Sequence, residues 1–340
     1  MVVVDQTLPR TANLPSAIVY LACQVLAAHE RIRTSVLDTP LVSASGLFPG
    51  PSANVYFKLE NLQHTGSFKL RGATNKILGL TPEQTACGVI AASNGNHGLG
   101  VAAAARRAGI AAEVYVSSHV SPAKALRIEE LGARIHRAGA DPLDAELAAR
   151  AASEESGKVF ISPYNDLDVM AGQGTIAVEL LRQLPRVDAV FVAVGGGGLI
   201  GGIGAYLKHA SPQTEVVGCW PRNSPVLYEC MKAGRILDVP ESYTLSESTA
   251  GGLEPGSVTL DVCRNLIDRS VLVSEEQILA AMRRVHDAKG WIMEGAAAAA
   301  MAALEHELSN YEGKNVVVII CGGNVSPEVL RRVQSAPDGR

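Results

Sequence analysis

The feature that most constrains this chain is a repeated alternation of short apolar runs with helical stretches. Gly88-Val89-Ile90-Ala91-Ala92, Ala112-Glu113-Val114-Tyr115-Val116 and Ala133-Arg134-Ile135-His136-Arg137 read as strands. Helical patterns follow them at Gly98 to Ala108, Pro122 to Leu131 and Pro142 to Glu155. Strands of this length separated by helices of this length imply βαβ units and parallel sheets. The alternation resumes at Ala189–Val194 and Glu215–Trp220 and ends at Asn315–Ile320. Runs such as Val316-Val317-Val318-Ile319 carry no polar face, so those strands are expected to be buried on both sides.

Earlier, Pro15-Ser16 opens a helical pattern to about Arg33, with the serine as a plausible cap. Thr39–Val42 and Val55–Leu59 read as short strands. Val2-Val3-Val4 is followed at once by Asp5 and is no signal-peptide core; the first dozen residues read as an arm or a disordered tail. Residues 221–258 are rich in Pro, Ser and Gly and read as irregular. Ser274 with Glu275-Glu276 resembles a capped helix start, and Glu294 to Leu304 is an alanine-rich helix.

With 340 residues, 47% of them apolar, the chain suits two domains or one large α/β unit. The formal charge of −4 gives no basic footprint for nucleic acid, and no apolar stretch approaches the roughly 20 residues that span a bilayer. The six cysteines form no CxxC pair and no zinc spacing. Buried free thiols in a reducing cytoplasm are the expectation.

Chemistry centres on Lys69. A lysine amine can form a Schiff base with an aldehyde cofactor once burial or neighbours activate it. An arbitrary lysine is a solvated surface residue, but this one follows a buried strand and a short polar turn. Gly195-Gly196-Gly197-Gly198-Leu199 joins a strand to a helix, where backbone amides bind anions. It is neither a Walker loop nor a dinucleotide fingerprint, and alone it could be only a tight turn. Ser93-Asn94-Gly95-Asn96-His97 is a second polar strand-to-helix turn that can present amides to a carboxylate or serve only as a cap. Cys321 in Cys321-Gly322-Gly323-Asn324, taken alone, is a small buried thiol, and Phe68 a core residue.

The run Lys58-Leu59-Glu60-Asn61-Leu62-Gln63-His64-Thr65-Gly66-Ser67-Phe68-Lys69-Leu70-Arg71-Gly72-Ala73 resembles the cofactor-lysine segment of the fold-type II pyridoxal-phosphate enzymes. Within them it looks like the serine/threonine dehydratase and serine racemase branch. The resemblance implies a tryptophan synthase β-like α/β fold of two three-layer domains with largely parallel sheets. A small domain, 88–165, would be inserted in a large cofactor domain made of 1–87 and 166–340.

The resemblance makes Lys69 the catalytic residue and the Schiff-base holder of pyridoxal 5'-phosphate. It makes Gly195 to Gly198 with Leu199 the phosphate loop and sets Phe68 against the cofactor. Cys321 is expected at the pyridine nitrogen, where a thiol leaves a weaker electron sink than a carboxylate does. Ser93, Asn94, Gly95, Asn96 and His97 would hold the substrate carboxylate, with Asn96 beside the cofactor's phenolic oxygen. Serine racemases carry a second serine where this chain has Asn94, and asparagine cannot shuttle a proton at neutral pH. One-sided chemistry by Lys69 is therefore expected.

Family members often bind a divalent cation through a glutamate at the position of Trp220. Here Pro221-Arg222-Asn223-Ser224 follows, so no metal is expected. Glu294, in a segment resembling Glu-Gly-Ala-Gly-Ala, would shape the site or cap its helix.

The expected activity is dehydration and deamination of a β-hydroxy amino acid, L-threonine or L-serine or a bulkier one, to a 2-oxo acid and ammonia. Racemisation, β-replacement and a cofactor carrier without turnover are the rivals. The resemblance suggests a cytoplasmic homodimer with an amino acid as its small-molecule partner and neither nucleic acid nor membrane.

Overall fold

A computed structural model describes residues 4–6, 16–48, 53–140 and 142–335. Two sheets organise it. The strands are β1 (Val4–Gln6), β2 (Leu41–Ser43), β3 (Asn54–Lys58), β4 (Val89–Ala92), β5 (Ala112–Val116), β6 (Arg134–Arg137), β7 (Val159–Phe160), β8 (Ala189–Ala193), β9 (Glu215–Pro221), β10 (Arg269–Val273) and β11 (Asn315–Ile319).

The larger sheet runs β1-β10-β9-β8-β11-β3-β2, and its five inner strands are parallel. β1 and β2 close its edges antiparallel. The smaller sheet, β6-β5-β4-β7, is parallel throughout.

Burial explains the order. Val316 to Ile319 of β11 and Val190 to Val192 of β8 are fully buried, as strands covered on both faces must be. Helices Leu167–Gln183, Gly198–Ala210 and Ser16–Ile32 pack against one another on the larger sheet's layer. Helix Ser16–Ile32 turns Ile18, Leu21, Val25 and Ala28 inward at helical spacing. The apolar cluster of the smaller sheet also takes in Ile32, Leu70, Ile77 and Val169 from segments outside Val89–Phe160.

Two readings of the sequence need correction. Val4–Gln6 is not part of a free arm: its backbone pairs with Arg269–Val271 at the sheet edge. Residues 7–12 and the residue before Ser16, where that cap would be judged, lie outside the described residues. The irregular stretch contains helix Val226–Ala233, which buries Val226, Leu227, Tyr228, Cys230 and Met231 and stops at left-handed Gly234. Turn-rich flanks masked that amphipathic pattern. Helix Asn96–Ala108 starts two residues before Gly98, because extended Gly95 precedes it. Ser274 does cap its helix in a box with Gln277.

The topology positions one site. β3, β4, β8 and β11 each end near a segment singled out above: Lys69, Ser93, Gly195 and Cys321. Carboxyl ends of parallel strands are where open α/β sheets bind ligands.

Candidate active site

Lys69 is the first residue of helix Lys69–Leu78. The segment before it is stitched to the end of β11. Phe68 N–H donates to Cys321 O at 3.0 Å, and Ser67 bridges Gly322. A Cβ on Gly100 would lie 3.0 Å from the Lys69 backbone, so helix Asn96–Ala108 crosses the lysine helix at contact distance. Lys69 Nζ donates to Pro163 O at 2.8 Å and lies 5.2 Å from the Phe68 ring centroid. Burial lowers its amine to about 8 against the raising pull of Glu294 and Cys321. About a tenth of the amine is therefore neutral at pH 7, far more than for an ordinary lysine.

Beneath the lysine lies a buried charge network. Arg71 donates Nε to Glu60 at 2.8 Å and NH1 to Glu179 at 2.6 Å. Lys58 Nζ donates to the same Glu179 at 2.6 Å. Two cations and two carboxylates thus balance in the core, two residues along the chain from Lys69.

The glycine loop lies in close contact with its neighbours, which only glycines allow. Gly197, at φ +88°, precedes helix Gly198–Ala210, whose first amides no side chain caps. A Cβ on Gly196 would run into the Tyr164 ring, and one on Gly195 would lie 2.9 Å from the Thr249 backbone. Leu199 is buried behind the loop. The result is a backbone cradle at a helix N-terminus, suited to a phosphate.

On the opposite wall, Ser93 Oγ accepts from Gly95 N–H at 3.1 Å and fixes the turn. Asn94 is tied at both ends to Ser117: its Oδ1 accepts from the backbone N–H and its Nδ2 donates to Oγ, each at 2.9 Å. His97 donates Nε2–H to Ile161 O at 2.8 Å, while its buried Nδ1 has no partner. Burial, and then the Lys69 charge, push this imidazole down to about 3, so it stays neutral.

Glu294 precedes helix Gly295–Glu307, but its side chain makes no cap bond. It accepts from Asn96 Nδ2 at 2.8 Å and Ser248 Oγ at 2.7 Å, and Cys321 Sγ lies 3.8 Å away. Burial raises the Glu294 carboxyl above its ordinary range and drives the Cys321 thiol well up, Glu294 adding to the latter. Cys321 is thus an uncharged thiol, suited to facing an unprotonated ring nitrogen. Of the described cysteines, Cys219, Cys230, Cys263 and Cys321 are buried, and Cys23 and Cys87 are exposed.

The structure links the lysine, the glycine loop, the 93–97 turn and Cys321 through shared neighbours: Pro163-Tyr164 joins Lys69 to the loop, and Glu294 joins Asn96 to Cys321. It adds residues that sequence reasoning missed. Tyr164 packs its ring on the glycine loop and accepts from Glu254 N–H at 3.0 Å. Ser248 joins Glu294, and Arg150 pairs with Glu254, whose backbone N–H donates to Tyr164. Tyr164 sits in Pro163-Tyr164-Asn165, a plain turn in sequence with no chemical signature.

Trp220 is fully buried, its ring against Gly218 and Tyr228. Among the described residues no group of three or more His, Cys, Asp or Glu side chains could hold a metal ion, and no helix is long and apolar enough to cross a membrane.

A family model described as "Pyridoxal-phosphate dependent enzyme" matches residues 32–322. L-threonine ammonia-lyase of Thermotoga maritima is 37% identical over 306 residues, 90% of this chain and 76% of that protein. The catabolic L-threonine dehydratase of Staphylococcus aureus is 37% identical over 322 residues, 93% of this chain and 92% of its own. Among solved structures, the processed form of threonine deaminase isoform 2 from Solanum lycopersicum superposes with a TM-score of 0.91 at 32% identity, covering 97% of this chain and 96% of that one. Maize serine racemase gives 0.85 at 30% identity, covering 92% and 95%.

Proposed function

The chain belongs to the pyridoxal-phosphate dependent enzymes, and on that premise we propose that it deaminates L-threonine to 2-oxobutanoate and ammonia. The observation that carries this reading is the meeting of Lys69, the glycine cradle and Cys321 in a chain similar along nearly its whole length to threonine ammonia-lyases.

The residues present fit the cofactor. The backbone amides at the start of helix Gly198–Ala210, which no side chain caps, suit its phosphate. Lys69 would hold its aldehyde carbon, Phe68 would pack against its ring and Cys321 would meet its pyridine nitrogen. When bound, pyridoxal phosphate supplies an electron sink that acidifies the substrate α-hydrogen.

The protein's own groups do the rest. The turn amides of Ser93 to His97 bind the substrate carboxylate, and neutral His97 adds no competing charge there. Lys69, desolvated, takes the α-proton; a positioned amine makes that step effectively intramolecular. The wall formed by Tyr164, Ser248 and Thr249 limits water and side-chain size. Asn94 offers no second acid or base opposite Lys69, since both its polar atoms are committed to Ser117. That favours elimination over racemisation.

We assign 88–165 to a smaller domain set into 1–87 and 166–340. All four strands of the smaller sheet lying between Val89 and Phe160 supports this. A homodimer in the cytoplasm is the assembly and place we propose on family grounds.

The test is 2-oxo acid release from L-threonine, L-serine, threo-3-hydroxyaspartate and threo-3-phenylserine. Preference for L-threonine is expected. Turnover of only another member would move the substrate. Release from none, with D-threonine or D-serine forming instead, would replace elimination by racemisation.

A further inference from the structure

A hydrogen-bond chain runs from an exposed helix to the centre of the site. Arg127, on the exposed face of helix Pro122–Glu130, donates NH1 to Asn324 Oδ1 at 3.1 Å. Asn324 Nδ2 then points inward, donating to Thr65 O at 2.9 Å and to Asn96 Oδ1 at 2.7 Å. Asn96 Nδ2 in turn donates to Glu294 Oε2 at 2.8 Å. Ser248 Oγ donates to the other Glu294 oxygen at 2.7 Å.

The sense of this chain is fixed at both ends. The Thr65 carbonyl and the Glu294 carboxylate only accept, and the Arg127 guanidinium only donates. Turning over either amide would set donor against donor and acceptor against acceptor. Asn96 Nδ2 carries two N–H groups, and one of them has no partner among the described residues.

A second contact from the same helix lies nearby: Lys124 Nζ is 3.6 Å from Glu247, the residue before Ser248. One helix from the 88–165 segment thus touches Asn324 at one end of the chain and the Ser248 turn at the other. A Cβ on Gly322 would lie 2.5 Å from the Glu294 carboxylate, so the glycine leaves room for the acceptor.

We propose that Asn324 is a positioning residue that holds the Asn96 amide with its second N–H toward the phenolic oxygen of pyridoxal phosphate, and that Arg127 ties this orientation to the seating of helix Pro122–Glu130. The proposal rests on the cofactor reading above. A bond to that oxygen favours its anion and so eases proton loss from the lysine–cofactor link. Lys69, Glu294, Cys321 and neutral His97 are the titratable groups facing this cluster. None is altered in the test below, so their contributions stay constant.

The test reconstitutes wild type, Asn96→Ala, Asn324→Leu and the double variant with pyridoxal phosphate. Visible absorption is titrated against pH, and kcat and KM for L-threonine are measured on the same samples. Asn324→Leu is expected to raise the pH of the spectral transition by about one unit, the tenfold shift that one lost bond to a charged group produces. Its kcat is expected to fall on the order of 100-fold, the effect of a misplaced group near the chemistry.

In the Asn96→Ala background, Asn324→Leu should change neither quantity further, because it acts through Asn96. Arg127→Ala, exposed and safe for folding, should shift the transition in the same direction by less and raise KM. An unchanged transition in Asn324→Leu would overturn the proposal. So would losses that multiply in the double variant, as a merely structural role requires, or an Arg127→Ala variant identical to wild type. Wild type lacking the visible band would sink the cofactor reading along with it; a wild type with band and activity isolates the failure to Asn324.

Discussion

Replacing Glu179 by Gln tests what holds the lysine helix in place. Glu179 is 2% exposed and takes bonds from two cations: Lys58 at 2.6 Å, and Arg71 at 2.6 Å through NH1 and 2.9 Å through NH2. Burial pushes the Glu179 carboxyl up, but Arg71 and Lys58 together bring it below its ordinary range. Gln fills the space but removes the charge, leaving Lys58 and Arg71 facing buried Glu60 and, 3.8 Å from Lys58, the exposed Asp38. Stripping one partner from a buried pair costs about 3–5 kcal/mol. With an unfolding entropy near 2.1 cal/mol/K per residue over 340 residues, that is a Tm loss of about 4–7 °C.

The assay is thermal unfolding of the apoprotein by circular dichroism, with Arg33→Ala as control. Arg33 pairs with Glu30 at the surface, where such a pair is worth about 1 kcal/mol or less. Adding Lys58→Met to Glu179→Gln restores the charge balance and should recover part of the loss. A Tm for Glu179→Gln within about 1 °C of wild type, or a double variant whose losses simply add, would refute the charge-balance argument.

Three further outcomes follow from the site. Gly196→Ala should fold yet bind pyridoxal phosphate at least tenfold more weakly, since its Cβ meets the Tyr164 ring; equilibrium titration checks this, and Tyr164→Ala should partly restore affinity. Because the Lys69 amine lies at about 8, capture of pyridoxal phosphate by the apoprotein should quicken with rising pH and level off just above 8; a rate still climbing at pH 10 would point to an ordinary lysine. His97 is held near 3 when folded but takes a proton at about 6.5 once unfolded. Its contribution is therefore whole above 6.5 and fades as pH falls toward 3, by up to about 1.4 kcal/mol per pH unit. Denaturant midpoints between pH 6.5 and 4 should fall less steeply in His97→Gln.

The sequence reading reached the fold where pattern and chemistry are local. Val316 to Ile319 read as a strand covered on both faces, and Gly195 to Gly198 as a strand-to-helix turn that alone said little more. The Lys69 and Cys321 segments resembled a family as strings, and the structure sets them side by side through Phe68 N–H to Cys321 O. What stayed hidden depends on partners distant in sequence. Tyr164 matters because Gly196 lies under its ring, and Ser248 because Glu294 turns toward it rather than toward its own helix. Val4–Gln6 looked like a tail because an edge strand needs only a free neighbour, here β10, and that neighbour is more than 260 residues away.

The central claim is that Lys69 performs the chemistry on L-threonine. Release of 2-oxobutanoate by wild type and Lys69→Ala, both saturated with pyridoxal phosphate, tests it most directly. Wild type should turn over L-threonine steadily, and Lys69→Ala should fold, bind the cofactor without the lysine-linked absorption and release no measurable 2-oxobutanoate. Sustained release by Lys69→Ala, or none by a wild type that shows the lysine-linked absorption, would contradict the account.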